Sequence, residues 1–156
     1  MTSIDFYILK TEVFRDYLNF IGKLTEKAYL KNHDVFIHTN DEELMIKVDE
    51  ALWSFRENSF LPHYNEKSFN NEEKKSLPKN EKEAPKIKNQ ILIGFSGRPY
   101  EHQDILINLC SDTPKFFGRF KRLIEIVMKN ENTLKYSRER YKYYKDRGYP
   151  INIHNL

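Results

Sequence analysis

Apolar positions along the chain alternate between strand-like runs and helical stripes. Ile4-Asp5-Phe6-Tyr7-Ile8-Leu9 is rich in aromatic and β-branched residues and predicts a first strand. Phe14, Tyr17, Leu18, Ile21, Leu24, Ala28 and Tyr29 then recur at helical spacing, which predicts an amphipathic helix from about 12 to 31. Val35-Phe36-Ile37-His38 is a strand apolar enough to be buried on both faces. Asn40 or Asp41 can cap the next helix, whose inward stripe is Leu44, Val48, Ala51 and Leu52. The order β-α-β-α predicts a parallel sheet with helices on its faces, an α/β fold.

Beyond that helix the pattern thins. From about Tyr64 to Lys86 the chain is rich in Asn, Glu and Lys and poor in apolar residues, so a mobile charged loop is expected at about 64–86. The flanking segments look like parts of one sheet, so residues 1–156 are expected to form a single domain. Gln90 to Phe95, Asp104 to Leu109 and Leu123 to Met128 are three further strands, with a turn at Gly94, Gly97 and Pro99. Thr113-Pro114 opens a short helical turn carrying Phe116, Phe117 and Phe120.

The last periodic stretch, Leu134 to Gly148, reads as a basic helix. Asn132 or Thr133 can cap it, and Gly148 with Pro150 ends it. At about 100° per residue, Leu134, Arg138, Tyr141 and Lys145 share a face, with Ser137 and Tyr144 at its edge. That face combines an apolar rim, flat aromatic surface and fixed positive charge. It suits an acidic, partly hydrophobic ligand or a nucleic acid backbone. It equally fits a surface helix with half-buried tyrosines and basic residues in water.

Composition narrows the classes. Hydrophobic residues are 39% and aromatics 14% of 156 residues, which suits a globular domain with a real core. A net charge of +3 is compatible with an acidic partner without establishing one. The single cysteine, Cys110, rules out an internal disulfide or a CxxC metal site, and it follows an apolar strand as a small core residue would. No signal pattern or bilayer-length apolar run is present, so a soluble cytoplasmic protein is expected.

The search for catalytic motifs is negative. Gly94-Phe95-Ser96-Gly97 lacks the Gly-Lys-Ser/Thr ending of a phosphate loop, and Leu9 runs into Lys10-Thr11-Glu12 with no glycine fingerprint. No GxSxG elbow occurs. Asp41-Glu42-Glu43 is explained by a capped helix start, and Asp49 and Glu50 diverge on a helix. No catalytic residue, metal site or cofactor is expected. His63, beside Pro62, reads as a structural histidine, with a ligand or base role as the alternative. Trp53 ends the second helix and is either a core aromatic or an exposed anchor for a protein contact.

Several stretches in order make a more specific pattern. Val48-Asp49-Glu50-Ala51-Leu52-Trp53, Ser59-Phe60-Leu61-Pro62-His63, Asp104 to Leu109 and Arg138-Glu139-Arg140-Tyr141-Lys142, after an opening Phe6-Tyr7-Ile8-Leu9, resemble the chi subunit family of bacterial DNA polymerase III holoenzyme. The resemblance runs from about residue 4 to 149 and does not extend to the charged loop.

That resemblance implies a three-layer α/β/α, Rossmann-like fold with a mostly parallel sheet of about five strands and no functional nucleotide site. It implies a non-catalytic accessory subunit of the clamp-loader assembly. One surface would bind the psi subunit, and another the acidic C-terminal tail of single-stranded DNA-binding protein, with DNA reached through that protein. The chain would be a monomer alone and a heterodimer with psi. Trp53 and Phe60 match the family's psi-side aromatics. Arg138 and Tyr141 match its tail-binding helix, and Val127 an apolar wall of that pocket. The family's basic residue one turn before the arginine aligns with Leu134, and the neighbouring Lys135 projects about 100° away. Two other classes stay open: a direct single-stranded nucleic-acid binder using Arg138, Arg140, Lys142, Lys145 and Arg147, and an enzyme with a degenerate site near Gly94 to Pro99.

Overall fold

The computed structural model describes residues 1–56, 61–68 and 90–156. Among these, seven strands form one sheet: β1 (Ser3–Ile8), β2 (Val35–His38), β3 (Tyr64–Asn65), β4 (Ile91–Gly94), β5 (Ile105–Asn108), β6 (Arg122–Val127) and β7 (Ile151–Asn155). Their spatial order is β3-β4-β2-β5-β6-β1-β7, and every pairing is parallel. The helices are α1 (Phe14–Leu30), α2 (Glu42–Ser54) and α3 (Glu131–Asp146).

Strand alternation divides the core into two layers. Val35 and Ile37 of β2, Ile91 and Ile93 of β4, and Ile105 and Ile107 of β5 pack with Tyr17 and Ile21 of α1 and Met45, Val48 and Leu52 of α2. Phe36, Leu92, Leu106, Leu123 and Val127 point to the opposite face, where α3 and a short 3-10 turn (Phe117–Arg119) cover them. Helices on both faces of a parallel sheet are what the continuous apolar runs predict, because such strands have no solvated side. Burying one of these side chains contributes about 1.5–3 kcal/mol. Gly22 lets α1 approach the end of α2: a Cβ there would lie 2.7 Å from the Phe55 ring.

The sheet has two strands more than the expected five or so, and both additions are edges. β3 is only two residues long, too short to leave a periodic signal. β7 follows directly on the helix-ending Gly148, whose φ of +79° turns the chain back toward the sheet. Residues 64–68, where the charged loop is expected to start, are structured. Tyr64 and Asn65 pair with β4, and Glu66 is buried; the stretch from 69 to 89 lies outside the described residues. Asp41 caps α2 as expected, its carboxylate accepting from the Leu44 amide at 2.7 Å. The cap of α3 is Asn130, not Asn132 or Thr133, and its side-chain oxygen accepts from the Thr133 amide at 2.8 Å. The true cap lies two residues earlier because Glu131 and Asn132 already belong to the first turn.

Candidate functional site

Packing sorts the side chains of α3. Ser137, Arg140 and Tyr144 form the buried face. Arg140 is 7% exposed and its Nε donates to Glu125 Oε2 at 3.0 Å, while Nη1 donates to the Ser111 carbonyl at 2.7 Å. Tyr144 Oη donates to Glu125 Oε1 at 2.7 Å, and Asn108 Nδ2 reaches the same oxygen at 3.0 Å. Glu125 is fully buried at the centre of β6, and burial pushes its carboxyl above the usual range against the pull of Arg140. Glu125 and Tyr144 together push the case further: burial, then the Glu125 charge, raises the Tyr144 phenol well beyond its ordinary value. Two expectations change. Ser137 and Tyr144 lie at the core of the helix interface, not at an edge of the ligand face. Arg140 is committed to an internal ion pair, so it cannot serve a nucleic-acid backbone.

The flank of α3 toward β1 and β7 holds the predicted face. Arg138 and Lys135 are exposed, and Leu134 and Tyr141 are half-buried. The Tyr141 ring meets Phe6 of β1 edge-on, with centroids 5.8 Å apart, and Lys145 Nζ sits 5.9 Å from the Tyr141 centroid. Leu134, Tyr141 and Ile8 pack on one cluster with Val127, which is only 1% exposed and so backs this surface from below. The structure therefore brings Leu134, Arg138, Tyr141 and Val127 together, with Lys135 one step round the helix.

One neighbour was missed by sequence reasoning. Ile153 of β7 pairs in register with Phe6, so it stands beside Phe6 on the α3 side of the sheet, and it is 49% exposed. The Ile151-Asn152-Ile153 alternation was its available signal, but an edge strand after a helix stop was not anticipated. Ile153 thus adds exposed apolar surface next to Phe6, whose ring also meets Tyr141 of α3.

Trp53 lies on a separate surface. It is 49% exposed at the end of α2, with its ring 4.3 Å from that of His63. His63 is buried beneath it. Its Nδ1 is 2.7 Å from the Leu61 carbonyl, and its Nε2 is 3.1 Å from Asp49 Oδ1. His63 is thus a structural support, as expected, and Trp53 stands at the surface. Phe60 lies outside the described residues.

The turn after β4 offers little to a nucleotide phosphate. The buried Glu66 carboxylate accepts from the Phe95 amide at 2.9 Å, the Ser96 amide at 3.1 Å and the Ser96 hydroxyl. A negative charge already occupies the amides an anion would need. Among the described residues no three His, Cys, Asp or Glu side chains gather into a metal site, and no helix is long and apolar enough to cross a membrane.

Against this geometry, residues 1–152 match the family described as DNA polymerase III chi subunit, HolC. The chain belongs to that family. The DNA polymerase III subunit chi of Pseudomonas aeruginosa is 31% identical over 156 residues, covering 100% of this chain and 98% of the relative. The chi subunit of Haemophilus influenzae is 26% identical, covering 99% of this chain and 97% of the relative. That of Escherichia coli is also 26% identical, with 97% of each chain covered. The fold of chi is shared more widely. T4 UvsW superposes with a TM-score of 0.65 over 99% of this chain at 10% identity, a likeness of fold alone, and this chain spans 41% of that protein. Among the described residues, Trp53 and Ile153 are each 49% exposed, and Arg138 is exposed on the basic helix.

Proposed function

We propose that the protein is a non-catalytic accessory subunit of the replicative DNA polymerase III clamp-loader assembly. In this reading it bridges the psi subunit and the acidic C-terminal tail of single-stranded DNA-binding protein, in the cytoplasm. The observation that carries it is the division of labour on α3. Arg140 is consumed by Glu125, while Arg138 stays exposed beside the half-buried Tyr141 and Leu134. A planar guanidinium beside an aromatic wall suits a peptide that ends in an aromatic ring and a free carboxylate. Val127 and Ile153 supply apolar surface beside the same face, and Lys135 and Lys145 give diffuse attraction for upstream acidic residues. Leu134, where the family has a basic residue, shifts part of the affinity from charge to apolar contact.

Trp53, with Phe60, is assigned to the psi subunit. A half-exposed Trp braced from below by a buried histidine is a preorganised anchor of the kind that dominates interfaces. The two surfaces sit on different elements, α2 and α3, so both partners can be held at once. Size-exclusion chromatography of the purified chain with psi and single-stranded DNA-binding protein tests this. A ternary peak is expected, with Trp53→Ala losing only psi and Arg138→Ala losing only the binding protein. Mutual exclusion of the two partners would overturn the bridging role.

A further inference from the structure

A concavity lies on another flank of α3, lined by Thr133, Tyr136 and Arg140. It opens outside the carboxyl ends of β5 and β6, where the first turns of α1, α2 and α3 converge. In parallel α/β sheets this crevice is the usual place for a ligand. The cleft has a volume of about 330 Å³, within the range of small-molecule sites. Its walls are largely apolar and aromatic: Phe14 and Tyr17 from α1, Leu44 from α2, Met128 after β6 and Tyr136 from α3.

Tyr17 supplies the second observation. It is 7% exposed, lines the cleft, and among the described residues no hydrogen bond reaches its hydroxyl. The ring is buried, and the oxygen, which is not among the buried polar atoms, opens to the cleft. Burial, reinforced by the Glu125 charge, raises its pKa, so the hydroxyl stays protonated and able to donate. Cys110, also in the wall, is pushed up to about 12 by burial and remains a neutral thiol.

The charges select the ligand class. Arg140, at the back of the cleft, is neutralised by Glu125. The first turns of α2 and α3 carry Glu42, Glu43 and Glu131, and their amides are already capped by Asp41 and Asn130. Positive helix ends are therefore answered within the chain, and a phosphate would meet carboxylates. What remains is a mostly apolar, aromatic-walled cleft with a hydroxyl that bonds nothing in the chain. We infer that this cleft binds an uncharged heteroaromatic ring of nucleobase size, hydrogen-bonded by Tyr17. The ring can come from a free nucleoside or from a base swung out of a single strand. The site is distinct from the Arg138 face, since neither Arg138, Leu134 nor Tyr141 lines it.

The test is an NMR titration of the full chain with thymidine, deoxycytidine and deoxyadenosine, their triphosphates, and a short single-stranded oligonucleotide. At least one nucleoside is expected to shift the amides of Cys110, Ser111 and Thr133 saturably, with a dissociation constant of about 1 mM or tighter. Its triphosphate should bind more weakly. Tyr17→Phe should weaken nucleoside binding about three- to tenfold while leaving the melting temperature unchanged, since the hydroxyl bonds nothing in the chain. Arg138→Ala should change neither. Matching shifts from the oligonucleotide identify a base of the strand as the ligand, and their absence identifies the free nucleoside. No saturable shift with any nucleoside, or unaltered affinity in Tyr17→Phe, overturns the inference.

Discussion

Two arginines two residues apart have opposite fates. Arg138 points to solvent, whereas Arg140 is sealed against Glu125, Ser111 and, through Glu125, Tyr144. Removing one partner of a buried ion pair costs about 3–5 kcal/mol, because the other charge is left without compensation. Chemical denaturation should therefore show a loss of about that size in Arg140→Ala. Arg138→Ala should stay within about 0.5 kcal/mol of the wild type, as surface substitutions do. The sequence placed both in one basic run and carried no sign of which was internal. The deciding residue, Glu125, lies in a strand recognised by its alternation, which does not say which helix its carboxylate meets.

A second effect at this scale concerns protons. Burial lowers the pKa of His38, with Glu66 pulling the other way, and burial likewise lowers that of His102. His38 Nδ1 is moreover buried without a hydrogen-bond partner among the described residues. A depressed histidine favours the folded state when neutral. Its contribution is full above the unfolded value of about 6.5 and is lost as pH falls through the folded value. Unfolding free energy should therefore drop as pH falls below about 6.5. In His38→Leu the drop should be smaller, and urea titrations at a series of pH values measure it. An equal drop in both proteins would remove His38 from the explanation.

At the scale of elements, the predictable ones were those with length and period. α1, α2, α3 and strands β1, β2, β4, β5 and β6 each carry a stripe or run that physics reads directly, and the stop at Gly148 was equally legible. β3 and β7 were not, since short edge strands are defined by the neighbour they pair with and not by their own pattern. This matters for the α3 face, because β7 places the exposed Ile153 beside Phe6. Ile153→Asp should weaken tail-peptide binding by placing a carboxylate beside an acidic ligand, without disturbing the half-exposed strand. Fluorescence anisotropy with a labelled peptide would show it, and unchanged affinity would remove β7 from the site. On α2, Trp53→Ala should weaken the psi complex by about 2 kcal/mol or more while thermal unfolding is unaffected. A sharp fall in melting temperature would mean that Trp53 serves the His63 packing instead.

For the molecule as a whole, the sheet with helices on both faces followed from apolar runs alternating with amphipathic stripes. The absence of a phosphate loop was equally plain in Gly94-Phe95-Ser96-Gly97, although the carboxylate of Glu66 filling that turn was hidden by 27 intervening residues between Glu66 and Gly94 in the chain. The helix face was legible in the sequence, and its apolar neighbours Phe6, Val127 and Ile153 were not, because they come from three separate strands. The central claim is that Arg138 holds the terminal carboxylate of an acidic peptide that ends in an aromatic residue. Calorimetric titration of wild type and Arg138→Ala, each with the free and the C-terminally amidated peptide, tests it most directly. If the claim holds, each single change weakens binding strongly and the two together cost clearly less than their sum, because both remove one interaction. Losses that simply add would contradict it.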